Sequence, residues 1–182
     1  MRYLDESGGS LGYSYEAELY PNTRNSDAIA LRAMYYLPYR AALRFEGRYF
    51  SDSWGITSDN IELRYIHPFK EQWIFEAKYR VYNQEQADFY SDLFPFKEAT
   101  NFRARDKELS TYSNTSFGLG VSYEIRSPYL KWFNKSTVNL YWDHMQFDYD
   151  NFRDVTVGGE VGAEPLYSFD ADVIRFYFSF WY

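Results

Sequence analysis

Arg32, Arg44, Glu46, Arg48, Glu62, Arg64, Glu76, Lys78 and Arg80 all occupy even-numbered positions in one stretch of the chain. Side chains two apart on an extended backbone share a face, so residues of equal parity line up along each strand. If the strands carrying them are antiparallel neighbours, cations and carboxylates meet on one surface and pair across the ladder. Two kinds of chemistry follow. In a narrow interior the charges neutralise one another as an ion-paired filling; in a wider one they line a wet passage and select solutes by charge.

Other reactive groups are sparser. His144 has Asp143 beside it and Asn139 nearby, while His67 precedes Pro68 in an expected turn. A covalent catalyst needs a nucleophile, a base and an orienting group within mutual reach. No serine motif accompanies either histidine, so no catalytic residue is assigned and an enzyme is not expected; a lipid-modifying enzyme using His144 is the remote alternative. The string Asp148-Tyr149-Asp150-Asn151-Phe152-Arg153-Asp154 superficially suits a calcium loop. It fails at Phe152, where a ligand is needed, and at Arg153, where the turn demands Gly. A solvated acidic loop is the plainer reading, weak divalent-cation binding the sharper one, and no metal site or cofactor is assigned.

The elements that position these residues announce themselves by alternation. Leu11, Tyr13, Tyr15, Ala17 and Leu19 predict a first strand. Ile29 to Leu37 predict a second, ended by Pro38, and Leu43 to Tyr49 a third. Ile61, Leu63 and Tyr65 give a fourth that stops at His67-Pro68, and Trp73 to Val81 a fifth. Phe117 to Ile125 give a sixth and Val138, Leu140 and Trp142 a seventh. In the seventh, Met145 and Phe147 are apolar at the wrong parity, which predicts a bulge or strand end near His144. The eighth strand sets Ile174, Phe176, Phe178, Phe180 and Tyr182 on one face and Val173, Arg175, Tyr177, Ser179 and Trp181 on the other.

Composition limits the architecture. The chain has 182 residues, 23% aromatic, with 20 Tyr and no Cys, and its mean hydropathy is −0.57. No run approaches the ~18 apolar residues of a spanning helix, so a membrane could be crossed only by strands whose signal hides in alternation. Of the net charge of −7, most lies between Asp148 and Asp172, where seven acids face the single Arg153. With no basic stripe, nucleic acid is not an expected partner. Residues 1–9 lack the apolar run of a leader and read as an N-terminal lead-in. Connections at 83–115 and 148–170 are long and alternate with short ones at 38–40, 67–72 and 126–135. Outer-membrane barrels have this asymmetry, with the long loops outside the cell. Within the first long loop, Asp88 to Ser110 mixes aromatic rings with paired charges, suited either to a lid over a mouth or to local packing.

The strings RYLD, YPNTRNSDAIALR, YYLPYRAALRFEGRYFSDSWGI, RARDKELSTYS and VNLYWDHMQFDYDNFRD occur together and in order. They resemble a family of Gram-negative outer-membrane barrels known as domain of unknown function family 3570. The resemblance implies location and fold without chemistry, and it implies that further strands precede the RYLD string. The expectation is therefore an all-β, antiparallel up-and-down transmembrane β-barrel, one domain over 1–182, with about eight strands here as the C-terminal part of a larger barrel. Its expected setting is the bacterial outer membrane, in contact with lipid and lipopolysaccharide, with the barrel-assembly machinery engaging the terminal strand. The charged ladder would line a passive conduit for small polar solutes. A structural barrel that docks a partner through its loops is the alternative.

Overall fold

A computed structural model describes residues 1–5, 12–126 and 133–182. Strands β1 (Arg2–Asp5) and β2 (Gly12–Tyr15) form a two-stranded antiparallel ribbon. Strands β3 (Ser26–Tyr36), β4 (Ala42–Asp52), β5 (Thr57–Phe69), β6 (Trp73–Gln84), β7 (Tyr112–Glu124), β8 (Lys135–Arg153) and β9 (Leu166–Trp181) pair in chain order. Together they make one seven-stranded antiparallel meander whose edges are β3 and β9. Among the described residues the only helical element is a 3₁₀ turn at Lys107–Leu109, and no helix is long and apolar enough to cross a membrane.

Three expectations need correction. The first predicted strand does not join the main sheet: it is cut to Gly12–Tyr15 and pairs with Arg2–Asp5. Its far end leaves the alternation to serve a loop, where Leu19 bridges to Arg103. Residues Arg2–Asp5 of the lead-in are therefore a strand, while Leu11 lies outside the described residues, as does most of the expected turn at 126–135. The fourth strand does not stop at His67-Pro68, because Pro68 pairs opposite Ile74 in the last ladder rungs, the strand-end position where a missing N–H does least harm. No bulge occurs at His144 either. The register between β8 and β9 is continuous from Lys135↔Trp181 to Asp148↔Ser168 and shifts only between Asp148 and Arg153.

The register explains that third failure. On β8, Val138, Leu140 and Trp142 share a face with Tyr123, Val121 and Leu119 of β7 and with Phe178, Phe176 and Ile174 of β9. The same face carries Trp73, Phe75, Ala77 and Tyr79 on β6, Leu63 and Ile61 on β5, and Leu43, Phe45 and Tyr49 on β4. Among the described residues nothing covers it: Ile29 and Ile174 are each 71% exposed and Leu31 is 66% exposed. At one end this apolar face turns polar on successive strands, at Asp27 and Ser51, at Asp59 and Asn83, and at Gln146 and Asp170. The apolar parity of β8 changes sides there. Phe147 moves to the opposite face and stacks on Phe169 with centroids 4.6 Å apart, so a polarity inversion along a regular strand mimics a bulge.

The buried apolar core lies in the connections at that same end. Ile56, Ala87, Phe89, Tyr90, Ala104 and Leu109 cluster together, with Tyr20, Phe50, Trp54 and Phe152 packed against them. Phe50 projects from the polar face of β4, opposite Ser58, so the connection over 85–111 folds inward across that face. It is a built cap. Gln84 Nε2 donates to the Glu108 and Ser110 carbonyls at 2.8 and 3.1 Å, and Asp106 accepts from Glu108 N to start the 3₁₀ turn.

Candidate functional site

The charged residues singled out by parity share the polar face of β3 to β6. Arg32 is opposite Glu46, Arg44 opposite Arg64, and Glu46 opposite Glu62. Like charges placed directly opposite would repel, and the long side chains resolve this by bonding to neighbours on the same strand and on the next one. Arg32 Nε donates to Glu46 at 2.8 Å, and Arg44 Nη2 donates to the same carboxylate at 2.9 Å. Arg64 Nη2 reaches Glu62 at 2.9 Å and Arg64 Nη1 reaches Glu76 at 3.1 Å. The result is an unbroken line of alternating charge across four strands. With these side chains partly open to solvent, solvent screening keeps each pair weak. The order of the line matters more than its strength.

Sequence reasoning missed how the line continues, because β7 carries no charge on this face apart from Glu124 at its end. Lys78 reaches past Gly118 to Asp143 Oδ1 at 2.6 Å, and Arg175 Nη2 donates to Asp143 Oδ2 at 2.6 Å. Tyr141 Oη donates to Glu76 at 3.0 Å and stands over Gly120, where a Cβ would meet its ring at 2.3 Å. The signal was present in the sequence as Gly118 and Gly120 at the parity of the ladder. Glycines there leave room for partners on the next strand.

Two of the ladder cations stand apart. Arg48 and Arg80 bond to no carboxylate among the described residues, although Arg80 lies over the Tyr82 ring with Cζ 5.6 Å from its centroid. Both line a cavity of about 480 Å³ between the sheet and the cap, with Asn60, Phe50, Asp106 and Glu108 also in its wall. All nine residues of the predicted ladder are therefore on one face, but among the described residues only Arg48 and Arg80 of its cations keep their charge free.

The cap is fastened by ions. Arg2 is fully buried; its Nη1 donates to Glu164 at 2.5 Å and its Nη2 to Asp92 at 2.6 Å. Arg105 holds the same Asp92 at 2.9 Å, and Arg153 N donates to it at 3.1 Å. Burial alone would raise the Glu164 carboxyl, but Arg2 and the Gly162 N–H outweigh it and hold the group below its ordinary range. Burial likewise works against the Arg2 charge, and Glu164 with Asp92 more than restores it. Tyr90 is pushed up by burial first and by Asp92 second. These groups are structural ties that close off solvent.

His144 has a different surrounding from the one its neighbours in sequence suggest. Asp143 points to the opposite face, and His144 Nδ1 lies 3.1 Å from Asp172 Oδ1, which also accepts from Trp142 Nε1 at 2.9 Å. This cluster sits on the border of the apolar face. No serine or threonine hydroxyl among the described residues is hydrogen-bonded to His144. The acidic string is dispersed: Asp148 pairs in register with Ser113 and Ser168, and Asp154 turns onto Thr156. No metal-holding group of three or more His, Cys, Asp or Glu occurs among the described residues.

The terminal strand residues Ile174, Phe176, Phe178, Phe180 and Tyr182 keep the parity expected of them; the first four lie on the apolar face of β9, exposed. No curated protein and no solved structure matches the chain. A family model described as a protein of unknown function (DUF3570) matches residues 3–163. That stretch holds the ribbon except Arg2, the connection over 85–111, β3 to β8 and the whole run from Arg32 to Asp143, and the chain belongs to this family.

Proposed function

We propose that the chain is the wall of an outer-membrane β-barrel whose polar face lines a passive conduit for small polar solutes. The observation that carries this reading is the opposite character of the two sheet faces. One is a continuous band of Leu, Ile, Phe, Tyr and Trp, uncovered from β3 to β9, that ends in polar residues on successive strands. Hydrocarbon accepts such a face, whereas water would oppose an apolar patch of this extent. The other face carries the charge line, which needs water or counter-charges to be tolerated. The edges β3 and β9 expose unpaired backbone groups, and closure is the arrangement that satisfies such edges in lipid.

Conductance of the refolded protein in planar bilayers tests the reading, after heat-modifiable gel migration has shown that a barrel has formed. Stable current steps proportional to salt are expected. Neutralising Arg44, Arg48 and Arg64 together should change the cation-to-anion preference of the current. A properly folded barrel that passes no current would overturn the conduit. The ion-paired state of most of the ladder favours one rival: a sealed barrel that anchors a partner through its cap.

A further inference from the structure

The cavity beneath the cap has walls of opposite sign. Its floor is sheet. Arg48 stands opposite Asn60 on β5, and Arg80 occupies the neighbouring rung on β6, opposite Glu62. Glu62 is committed elsewhere, to Arg64 and Arg44, so neither guanidinium is neutralised. The roof is the 3₁₀ turn, which brings Asp106 and Glu108 to the same space. Of the other ionised groups in the wall, Arg24 is tied to Asp52 at 2.5 Å. Asp59 belongs by parity to the apolar side of the sheet, where Asn83 Nδ2 donates to it at 3.3 Å. Two free cations below and two carboxylates above remain.

Trp54 in the side wall is engaged by Tyr20, stacked at 6.0 Å, and by the Arg24 guanidinium 4.7 Å from its ring centroid. Phe50, Ile56 and Leu109 instead give a short apolar wall between the two charged ones. A volume of about 480 Å³ falls in the range of small-ligand sites.

From this arrangement we infer that the cavity binds small zwitterions, free amino acids or short peptides. Their carboxylate lies on Arg48 and Arg80, their ammonium on Asp106 and Glu108, and an apolar side chain against Phe50 and Leu109. Guanidinium groups bind carboxylates through directed, charge-assisted bonds. Carboxylates across the cavity set the orientation and reject a plain anion. The inference rests on the reading that the polar face is wet, yet it does not require current to flow.

The test is calorimetric titration of the detergent-folded protein with leucyl-alanine in three forms: unmodified, N-acetylated and C-amidated. The unmodified dipeptide should bind, and blocking either end should weaken binding roughly tenfold or more, the loss of one charge-assisted contact. Arg48→Gln with Arg80→Gln should weaken the unmodified form similarly without further harm to the C-amidated one. Asp106→Asn with Glu108→Gln should do the same for the ammonium end. Absence of binding at millimolar dipeptide, or equal binding of all three forms, overturns the inference. Each variant is first checked for heat-modifiable migration, and the substituted side chains at Arg48 and Glu108 are exposed enough to change without unfolding the sheet. Binding without conductance would remove the conduit and keep this site; conductance without binding would do the reverse.

Discussion

Gly118 lies beneath Asp143, its partner across the β7–β8 ladder, so closely that a Cβ on Gly118 would sit 2.2 Å from Asp143 Oδ1 and 2.9 Å from Lys78 Cε. The gap left by a missing side chain is thus the channel through which Lys78 reaches its carboxylate. Gly118→Ala must displace Asp143 and with it both Lys78 and Arg175. The expected loss of unfolding free energy is about 1–3 kcal/mol, the usual scale of overpacking. Urea unfolding of the lipid-folded protein measures it, and Asp143→Asn combined with Gly118→Ala should cost much less than the sum of the single changes.

Arg2 is fully buried, and its removal should act locally. Arg2→Met leaves Glu164 and Asp92 facing each other without their shared cation, a situation that costs about 3–5 kcal/mol when the charges stay buried. The cap should open while the sheet persists. Hydrogen exchange reads this directly, since Leu4 N donates to Phe94 O and Phe94 N to Arg2 O, both at 2.9 Å. Those amides should lose protection in the variant, and the β5–β6 ladder amides should keep theirs.

Acid should reach the same cap by another route. Burial raises the Glu164 carboxyl, and its bonds to Arg2 and Gly162 lower it further than burial raises it, so the folded group ionises more readily than an unfolded Glu. Its contribution is fully present above the ordinary Glu value of about 4.3 and is lost as pH falls through the lower, folded value. Glu16 acts with the same sign: burial raises it, and the Glu98 N–H and Arg103 more than compensate. Cleavage of the 154–165 connection by an acid-active protease should be slow above the ordinary Glu value and rise as pH falls well below it. Glu164→Gln should be cleaved readily on both sides of it.

The apolar face offers a test that separates lipid from water. Leu119 is 46% exposed in its centre. Leu119→Arg should cost about 2–4 kcal/mol if hydrocarbon surrounds it, but at a water-exposed site a surface change stays within about 0.5 kcal/mol. Asn83→Arg, on the polar border of the same face, should be near neutral in either case. Equal, small effects at both positions in vesicle-folded protein would argue against a lipid belt.

Alternation alone reveals β3 to β9 and the face on which each charged residue lies, because parity is a local property that pairing does not alter. Partners are not local. The charge of Lys78 finds Asp143 two strands away, and nothing at Lys78 announces it; the evidence is the pair of glycines on the intervening strand. Strand Gly12–Tyr15 alternates as well as any other, yet it pairs with Arg2–Asp5, since alternation says nothing of which edge a strand will choose. Arg2 falls in the stretch read as an N-terminal lead-in, and its burial depends on Asp92 and Glu164, both remote in sequence. The apparent bulge at His144 arose from treating one polarity rule as valid along the whole length of β8, when its surroundings change partway.

The two halves of the structure also differ in when they can form. Every rung of the main sheet joins consecutive strands, so even its longest closure, from Gln84 to Tyr112, is local compared with the ties of the cap. The Arg2 to Glu164 contact spans 162 positions, and the ribbon β1–β2 has no place in the sheet to wait. Contacts that span so much of the chain carry the largest closure cost, so the ribbon and the seal of the cap are expected to order after the wall, and pulsed hydrogen exchange during refolding reads that order.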